Sequence, residues 1–145
     1  MKQQNYKNHV RYYPAHHFLF YPLSLALLIF IARHAYVDVV NRTAWLVAAA
    51  IVFLIMWSSF MMRQHYALGN QNRIVRLEMR FRYYVLTGKR LELLESRLSF
   101  GQIAALRFAS DAELPTLVDR ALKENLSPSA IKKAVKDWQA DFMRV

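Results

Sequence analysis

Thr43 to Met62 reads TAWLVAAAIVFLIMWSSFMM, a run of 20 residues between Arg42 and Arg63 with no charge, no Gly and no Pro. At a rise of about 1.5 Å per residue such a run makes roughly 30 Å of helix, the thickness of a bilayer core. It carries no polar stripe, so a helix here has no face to turn to water. A chain of 145 residues is too small to cover that helix on every side. The stretch predicts a membrane-spanning helix over 43–62.

Upstream, Phe18 to Ala32 (FLFYPLSLALLIFIA) is apolar but reaches Arg33 after 15 residues. Two features lengthen it. Arg33 can extend its head to the interface, and apolar residues resume at Ala35, Tyr36, Val37, Val39 and Val40. A helix over 18–40 then spans, with Pro22 near its start, where a missing N–H costs little. A cleaved signal peptide would want a small residue where Arg33 stands, and a second span follows at once, so the segment reads as a retained helix. The turn between the spans falls near Asp38 to Arg42, with Asp38 and Arg42 spaced to pair and Thr43 placed to cap the second helix. Asn41-Arg42-Thr43 matches a glycosylation sequon but lies too near the membrane to carry weight.

Composition bounds the rest. Hydrophobic residues make up 55% of the chain, and its 3 Gly and 4 Pro exclude a loop-rich or disordered polypeptide. The absence of Cys excludes disulfides, thiolate metal sites, iron–sulfur clusters and cysteine nucleophiles. Lys and Arg number 20 against 10 acids. The basic residues are unevenly placed: Lys2, Lys7 and Arg11 precede the first span, Arg33 and Arg42 fall at the connecting turn, and Arg63, Arg73, Arg76, Arg80 and Arg82 follow the second. The positive-inside rule then puts both termini in the cytoplasm. Tyr12, Tyr13, Phe20 and Tyr21 suit the inner interface, Tyr36 and Trp45 the outer. Ala26, Ala44 and Ala48 are small enough to let the two helices approach.

After the spans, 63–97 carries eight basic and three acidic residues, and 98–145 seven and six, which sets a boundary near Ser99. Ile74, Leu77, Phe81 and Tyr84 recur as one helical stripe. A stripe so apolar, seven residues or more beyond the membrane, is expected to pack on protein, either the C-terminal unit or a second copy, and secondarily on lipid. Gly69-Asn70 is a place for a bend, Gly88 a helix C-cap, and Leu91, Leu94 and Leu98 the restart of a short helix. Three helix starts follow: the capping boxes Ser99…Gln102 and Ser110…Glu113, and Ser127 before Pro128. They imply helices over 100–108, 111–125 and 128–138, with Trp138 in a shared small core. The expected architecture is all-α: a basic, aromatic N-terminal segment (1–17), a transmembrane helical hairpin (18–62), juxtamembrane amphipathic helices (63–98) and a small three-helix cytoplasmic unit (99–145).

Three stretches carry a resemblance: Lys2-Gln3-Gln4-Asn5-Tyr6-Lys7-Asn8-His9-Val10-Arg11-Tyr12, Leu106-Arg107-Phe108-Ala109-Ser110-Asp111-Ala112-Glu113-Leu114-Pro115, and Ile131-Lys132-Lys133-Ala134-Val135-Lys136-Asp137-Trp138 through Arg144-Val145. Together they resemble a family of short, two-span bacterial membrane proteins of the Bacteroidetes type. The resemblance covers nearly the whole chain and implies the two-span topology and a bacterial inner membrane. It implies no activity and no catalytic residue.

For chemistry, His16 and His17 before the first span and His65 after the second fall on the same side of a hairpin, with His34 at the opposite end. Two imidazoles across a helix pair can ligate haem iron or a metal. No HExxH motif, paired carboxylate, nucleophile–base pair or phosphate-binding Gly loop accompanies them, and the simpler reading is interfacial histidines with wet tips. No metal site and no bound cofactor are expected. Both helix centres lack an acid or base, so one chain does not read as a transporter. Arg63, Arg73, Arg76, Arg80 and Arg82 suit anionic lipid headgroups, at about 1 kcal/mol each near the surface, or a protein partner. Nucleic acid is disfavoured, because no recognition motif backs the charge. The expected function is a non-enzymatic inner-membrane protein, an anchor, scaffold or accessory subunit acting through its cytoplasmic helical tail. The alternatives are a haem- or quinone-associated accessory subunit using His16, His17 and His65, and a membrane-tethered nucleic-acid binder.

Overall fold

The computed structural model describes residues 4–10 and 12–141. Lys2 and Arg11 of the charge count, and Lys2, Gln3, Arg11 and residues 142–145 of the resembling stretches, lie outside the described residues. The chain is all-helical. Among the described residues the nearest approach to a strand is one isolated antiparallel bridge, Ala109 with Trp138. Two compact units form: 12–69, and a second built from the residues before 12 together with those after 69.

The first unit holds α1 (Tyr21–Val37) and α2 (Arg42–Met61), packed side by side. A π-helical turn, Ala15–Phe20, leads into α1 and another, Met62–Ala67, follows α2. Pro22 stands in the first turn of α1, just after the wider winding. Its ring cannot lie against the carbonyl four residues back and it has no N–H to offer, which fits a change of winding at this point. The helical segments 15–37 and 42–87 are both long and apolar enough to cross a membrane.

The packing seam is narrow. On α1 only Ile31 and Ala35 are buried, and on α2 no residue is. Ser24 and Leu28 continue the α1 seam at helical spacing, and Trp45, Ala48, Ala49, Val52 and Met56 line that of α2, all half-buried. Of the three alanines expected to permit close approach, Ala48 lies on the seam, while Ala26 and Ala44 point outward. Most of the remaining surface of both helices is exposed and apolar, including Leu23, Leu27, Phe30, Ile51, Phe53, Leu54 and Trp57.

The connecting turn differs from expectation. α1 ends at Val37, before Val39 and Val40, because Asp38 leaves helical geometry and its carboxylate accepts from the Asn41 N–H (3.1 Å), the Asn41 amide (3.0 Å) and the Trp45 indole N–H (3.2 Å). Asp38 therefore does not pair with Arg42, whose Nε donates to the Ala35 carbonyl at 3.1 Å. Asn41, and not Thr43, stands at the N-cap of α2.

The second unit joins what the charge boundary near Ser99 would separate. α3 (Leu68–Thr87), α4 (Phe100–Leu106), α5 (Leu114–Glu124) and α6 (Pro128–Ala134) supply it, with a 3₁₀ turn at Leu91–Leu93 in place of the short helix expected there. Val75, Met79 and Tyr83 of α3 share one core with Leu91, Leu98, Ile103, Leu106, Leu114, Val118 and Ile131. Gly69 and Asn70, the place expected for a bend, are helical within α3; a lone Gly costs a helix only about 1 kcal/mol. Gly88, at φ 66°, ends α3 as expected, its N–H donating to the Tyr84 carbonyl at 2.8 Å.

Capping explains two of the three short helices. Ser99 and Gln102 form the reciprocal box that starts α4. Gln102 is buried, and its amide also donates to the Leu126 carbonyl at 2.8 Å, tying α4 to the loop before α6. The Ser127 hydroxyl accepts from the Ala130 N–H to start α6. A Cβ at Gly101 would come within 3.1 Å of Pro128 Cγ, so the missing side chain is what lets α4 lie against α6. The third box does not form. Glu113 instead accepts from the backbone N–H groups of Lys136 (3.1 Å) and Asp137 (3.2 Å), and Ser110 Oγ is buried without a hydrogen-bond partner. Glu113 thus holds the chain that leaves α6, and α5 begins only at Leu114.

The N-terminal segment belongs to this unit and does not stand apart. Gln4 is buried; its amide donates to the Asp141 carbonyl (3.0 Å), and its oxygen accepts from the Asp141 N–H (2.8 Å). Tyr6 and Ser129 share a hydroxyl contact at 3.0 Å. His9 packs on Phe108 and Trp138, with Lys132 Nζ at 2.9 Å from its Nε2. Trp138 lies beyond the end of α6, half-buried, stacked on the fully buried Phe108 at 4.5 Å.

The stripe Ile74, Leu77, Phe81 and Tyr84 is not the face of α3 that meets the C-terminal helices. Its residues are 55–70% exposed, whereas Val75, Met79 and Tyr83 are 2–7% exposed. At about 100° per residue the two sets lie on opposite sides of the helix, so α3 carries two apolar faces, of which the chain covers one. Met79→Ala is expected to destabilise the unit by about 2–5 kcal/mol, and Leu77→Ser by less than about 0.5 kcal/mol. Urea titration read by limited proteolysis checks this. Equal losses would mean that both faces are covered.

Candidate functional site

Two groups of polar side chains lie outside ordinary packing. The first is the histidine end of the 12–69 unit. His16 and His17 sit in the Ala15–Phe20 π-turn and His65 in the Met62–Ala67 turn. The His16 ring stacks on Phe20 (5.5 Å between centroids), meets Tyr21 edge-on at 4.6 Å and crosses His17 at 5.6 Å. His17 places Nδ1 at 3.0 Å from the Tyr13 carbonyl. His16 Nε2 is buried with no hydrogen-bond partner, and His16 lies close enough to Arg63 for their charges to interact.

His65 is exposed and, among the described residues, makes no ring contact with His16 or His17. Among the described residues no three His, Cys, Asp or Glu side chains are grouped to hold a metal. The structure thus brings His16 and His17 together as neighbours in one turn, without a ring contact to His65 among the described residues. Adjacent rings crossed at 82° do not face each other across an iron.

The second group is the arginine face of α3. Arg73, Arg76 and Arg80 are spaced along one side of the helix and line a cleft of about 460 Å³ with Asn72, Leu77 and Phe100. Arg80 makes a two-pronged ion pair with Glu95, Nε to Oε1 at 2.6 Å and Nη2 to Oε2 at 2.7 Å. Arg76 reaches only to 3.7 Å from the same carboxylate, and its guanidinium lies 5.8 Å from the Phe100 ring centre. Arg73 is exposed and, among the described residues, has no ion pair or hydrogen bond from its side chain.

Arg82, expected with this group, does other work. It donates to Asp111 Oδ1 (2.6 Å) and to the carbonyls of Arg107 (3.2 Å) and Ala109 (2.6 Å). These bonds fix the loop between α4 and α5, so Arg82 is not available to a lipid or partner. Arg107 is similarly bound, to Asp141 at 2.8 Å and the Ala104 carbonyl at 2.6 Å, with its guanidinium 4.1 Å from the Phe108 ring centre. Arg63 is exposed. Sequence spacing alone does not separate these roles, because the acids that claim Arg80 and Arg82, Glu95 and Asp111, lie 15 and 29 residues away.

The family of unknown function DUF6526 matches residues 1–145, and the chain belongs to it. No curated protein matches the chain, and no solved structure does.

The hydrogen bonds from Arg80 hold the Glu95 carboxyl below the usual carboxylate range, against the opposing effect of its partial burial. A carboxyl depressed in the folded state adds stability above its unfolded pKa and loses it as pH falls through the folded value. The unit is therefore expected to weaken as pH drops below about 4, with a smaller slope in Glu95→Gln, which keeps the shape and removes the titration. Denaturant melts across that range check it. An unchanged slope in the variant would remove Glu95 from the acid response.

Proposed function

We propose that this chain is a non-enzymatic protein of the bacterial inner membrane. It crosses twice, with both termini in the cytoplasm, and serves as an anchor, scaffold or accessory subunit through the unit that its two ends build. Its partners on this reading are anionic lipid headgroups, and a protein or a second copy of the chain on the open face of α3. The observation that carries the reading is the tie between Gln4 and Asp141. Two chain ends held in one unit must lie on the same side of a bilayer, so the intervening apolar helices cross as a pair or not at all.

The bare apolar surface of α1 and α2 supports crossing. A core helix of a water-soluble domain buries most of its large side chains, and these two bury only Ile31 and Ala35. A hydrocarbon surround lets that surface stand at no cost. The basic residues Lys7, Arg63, Arg73 and Arg76 then mark the cytoplasmic side. The bacterial setting rests on the resemblance described above.

A second reading, a site for a quinone or haem, is favoured by one observation, the buried and unpartnered His16 Nε2. A Soret band in the purified protein would move the assignment there.

Because the chain has no Cys, single cysteines report topology cleanly. On intact cells an impermeant maleimide is expected to label Val40→Cys, 92% exposed in the turn, and to reach Lys123→Cys only after lysis. Labelling of Lys123→Cys on intact cells, or protection of Val40→Cys, would contradict the proposed topology.

A further inference from the structure

We infer that the cleft between α3 and the start of α4 binds a phosphate ester, with Arg73 and Arg76 holding the phosphate and Leu77 and Phe100 receiving the adjoining apolar part. The charge balance points there. Three guanidinium groups line the cleft, and Glu95 is the one acid that pairs with any of them among the described residues. Both oxygens of Glu95 are taken by Arg80, at 2.6 and 2.7 Å. Arg76 is too far for a hydrogen bond at 3.7 Å, and Arg73 has no acid at all among the described residues. Like charges one turn apart on a helix repel, and an anion bound between them would relieve that repulsion.

The donor set selects the anion. One planar guanidinium fork saturates a carboxylate, which has two oxygens. Two forks, with the Asn72 amide beside them, match a tetrahedral group with three or more acceptor oxygens. Arg80 lines the same cleft, but its guanidinium is held by Glu95. The ligand is not a bare anion, because Leu77 and the Phe100 ring line the same cleft. Beyond Leu77 the exposed Phe81 and Tyr84 continue the apolar surface. A volume of about 460 Å³ suits a headgroup-sized molecule.

This chemistry is shared by the phosphodiester of an anionic phospholipid and by a soluble organophosphate. The lipid source rests on the membrane reading above; the binding itself does not. Calorimetric titration of the full chain in non-ionic detergent separates them. The probes are phosphatidylglycerol in mixed micelles, phosphatidylcholine in the same micelles, and phenyl phosphate. Binding of phosphatidylglycerol over phosphatidylcholine supports the site with lipid as its source. Binding of phenyl phosphate without lipid preference supports the site with a soluble source.

In either case Arg73→Gln/Arg76→Gln is expected to weaken binding at least about tenfold, each lost fork removing a charge-assisted pair. Arg97→Gln/Lys123→Gln removes the same charge from exposed positions elsewhere in the unit and is expected to weaken binding less than about twofold. No binding of any probe, or equal loss in the two double variants, would overturn the inference. Failure of the membrane reading would appear separately, in the cysteine labelling of Val40 and Lys123.

Discussion

The fold depends on the clasp between Gln4 and Asp141. The Gln4 side chain acts as a short stand-in for a strand, donating to the Asp141 carbonyl and accepting from its N–H. Its oxygen also lies 3.4 Å from the Trp138 indole nitrogen, which brings the aromatic stack on Phe108 into the same arrangement. Such a buried amide is costly to leave unpaired. The segments before and after the two apolar helices therefore complete one another within a single unit. The clasp and the positive-inside count, which rest on different residues, both support the proposed topology.

Much of this was legible in the sequence. The length and uniform apolarity of Thr43 to Met62 leave little choice of element, and the helix from Arg42 to Met61 reproduces it within a residue. The local signals at Ser99, Ser127 and Gly88 worked because their partners lie within four residues along the chain. Ser110 failed for the opposite reason. Its expected partner Glu113 is claimed by backbone groups of Lys136 and Asp137, more than twenty residues on, and no local pattern announces that competition.

The same distinction governs α3 and its arginines. An i, i+3, i+7 stripe is visible at Ile74, Leu77, Phe81 and Tyr84, yet the face that packs is Val75, Met79 and Tyr83, spaced by four. Periodicity finds apolar faces but does not rank two of them on one helix. Nor does a count of basic residues tell which are spent inside the fold. Arg82 ties down the loop between α4 and α5, Arg80 is matched by Glu95, and Arg73 and Arg76 are left facing outward. In the histidine set, sequence placed His16, His17 and His65 near one end of the helix pair. The structure joins the first two through their shared turn and leaves His65 exposed.

Chemical crosslinking in membranes bears most directly on an account in which one unit is built from both chain ends and two helices lie in the bilayer. Tyr6 and Ser129, whose hydroxyls meet at 3.0 Å, can be replaced by cysteine in this Cys-free chain and treated with a short bis-maleimide after alkaline washing of the membranes. The account requires the protein to stay in the washed membrane and to give an intrachain product with altered gel mobility. Release of the protein by the wash, or reaction of both cysteines with no intrachain product, would contradict it.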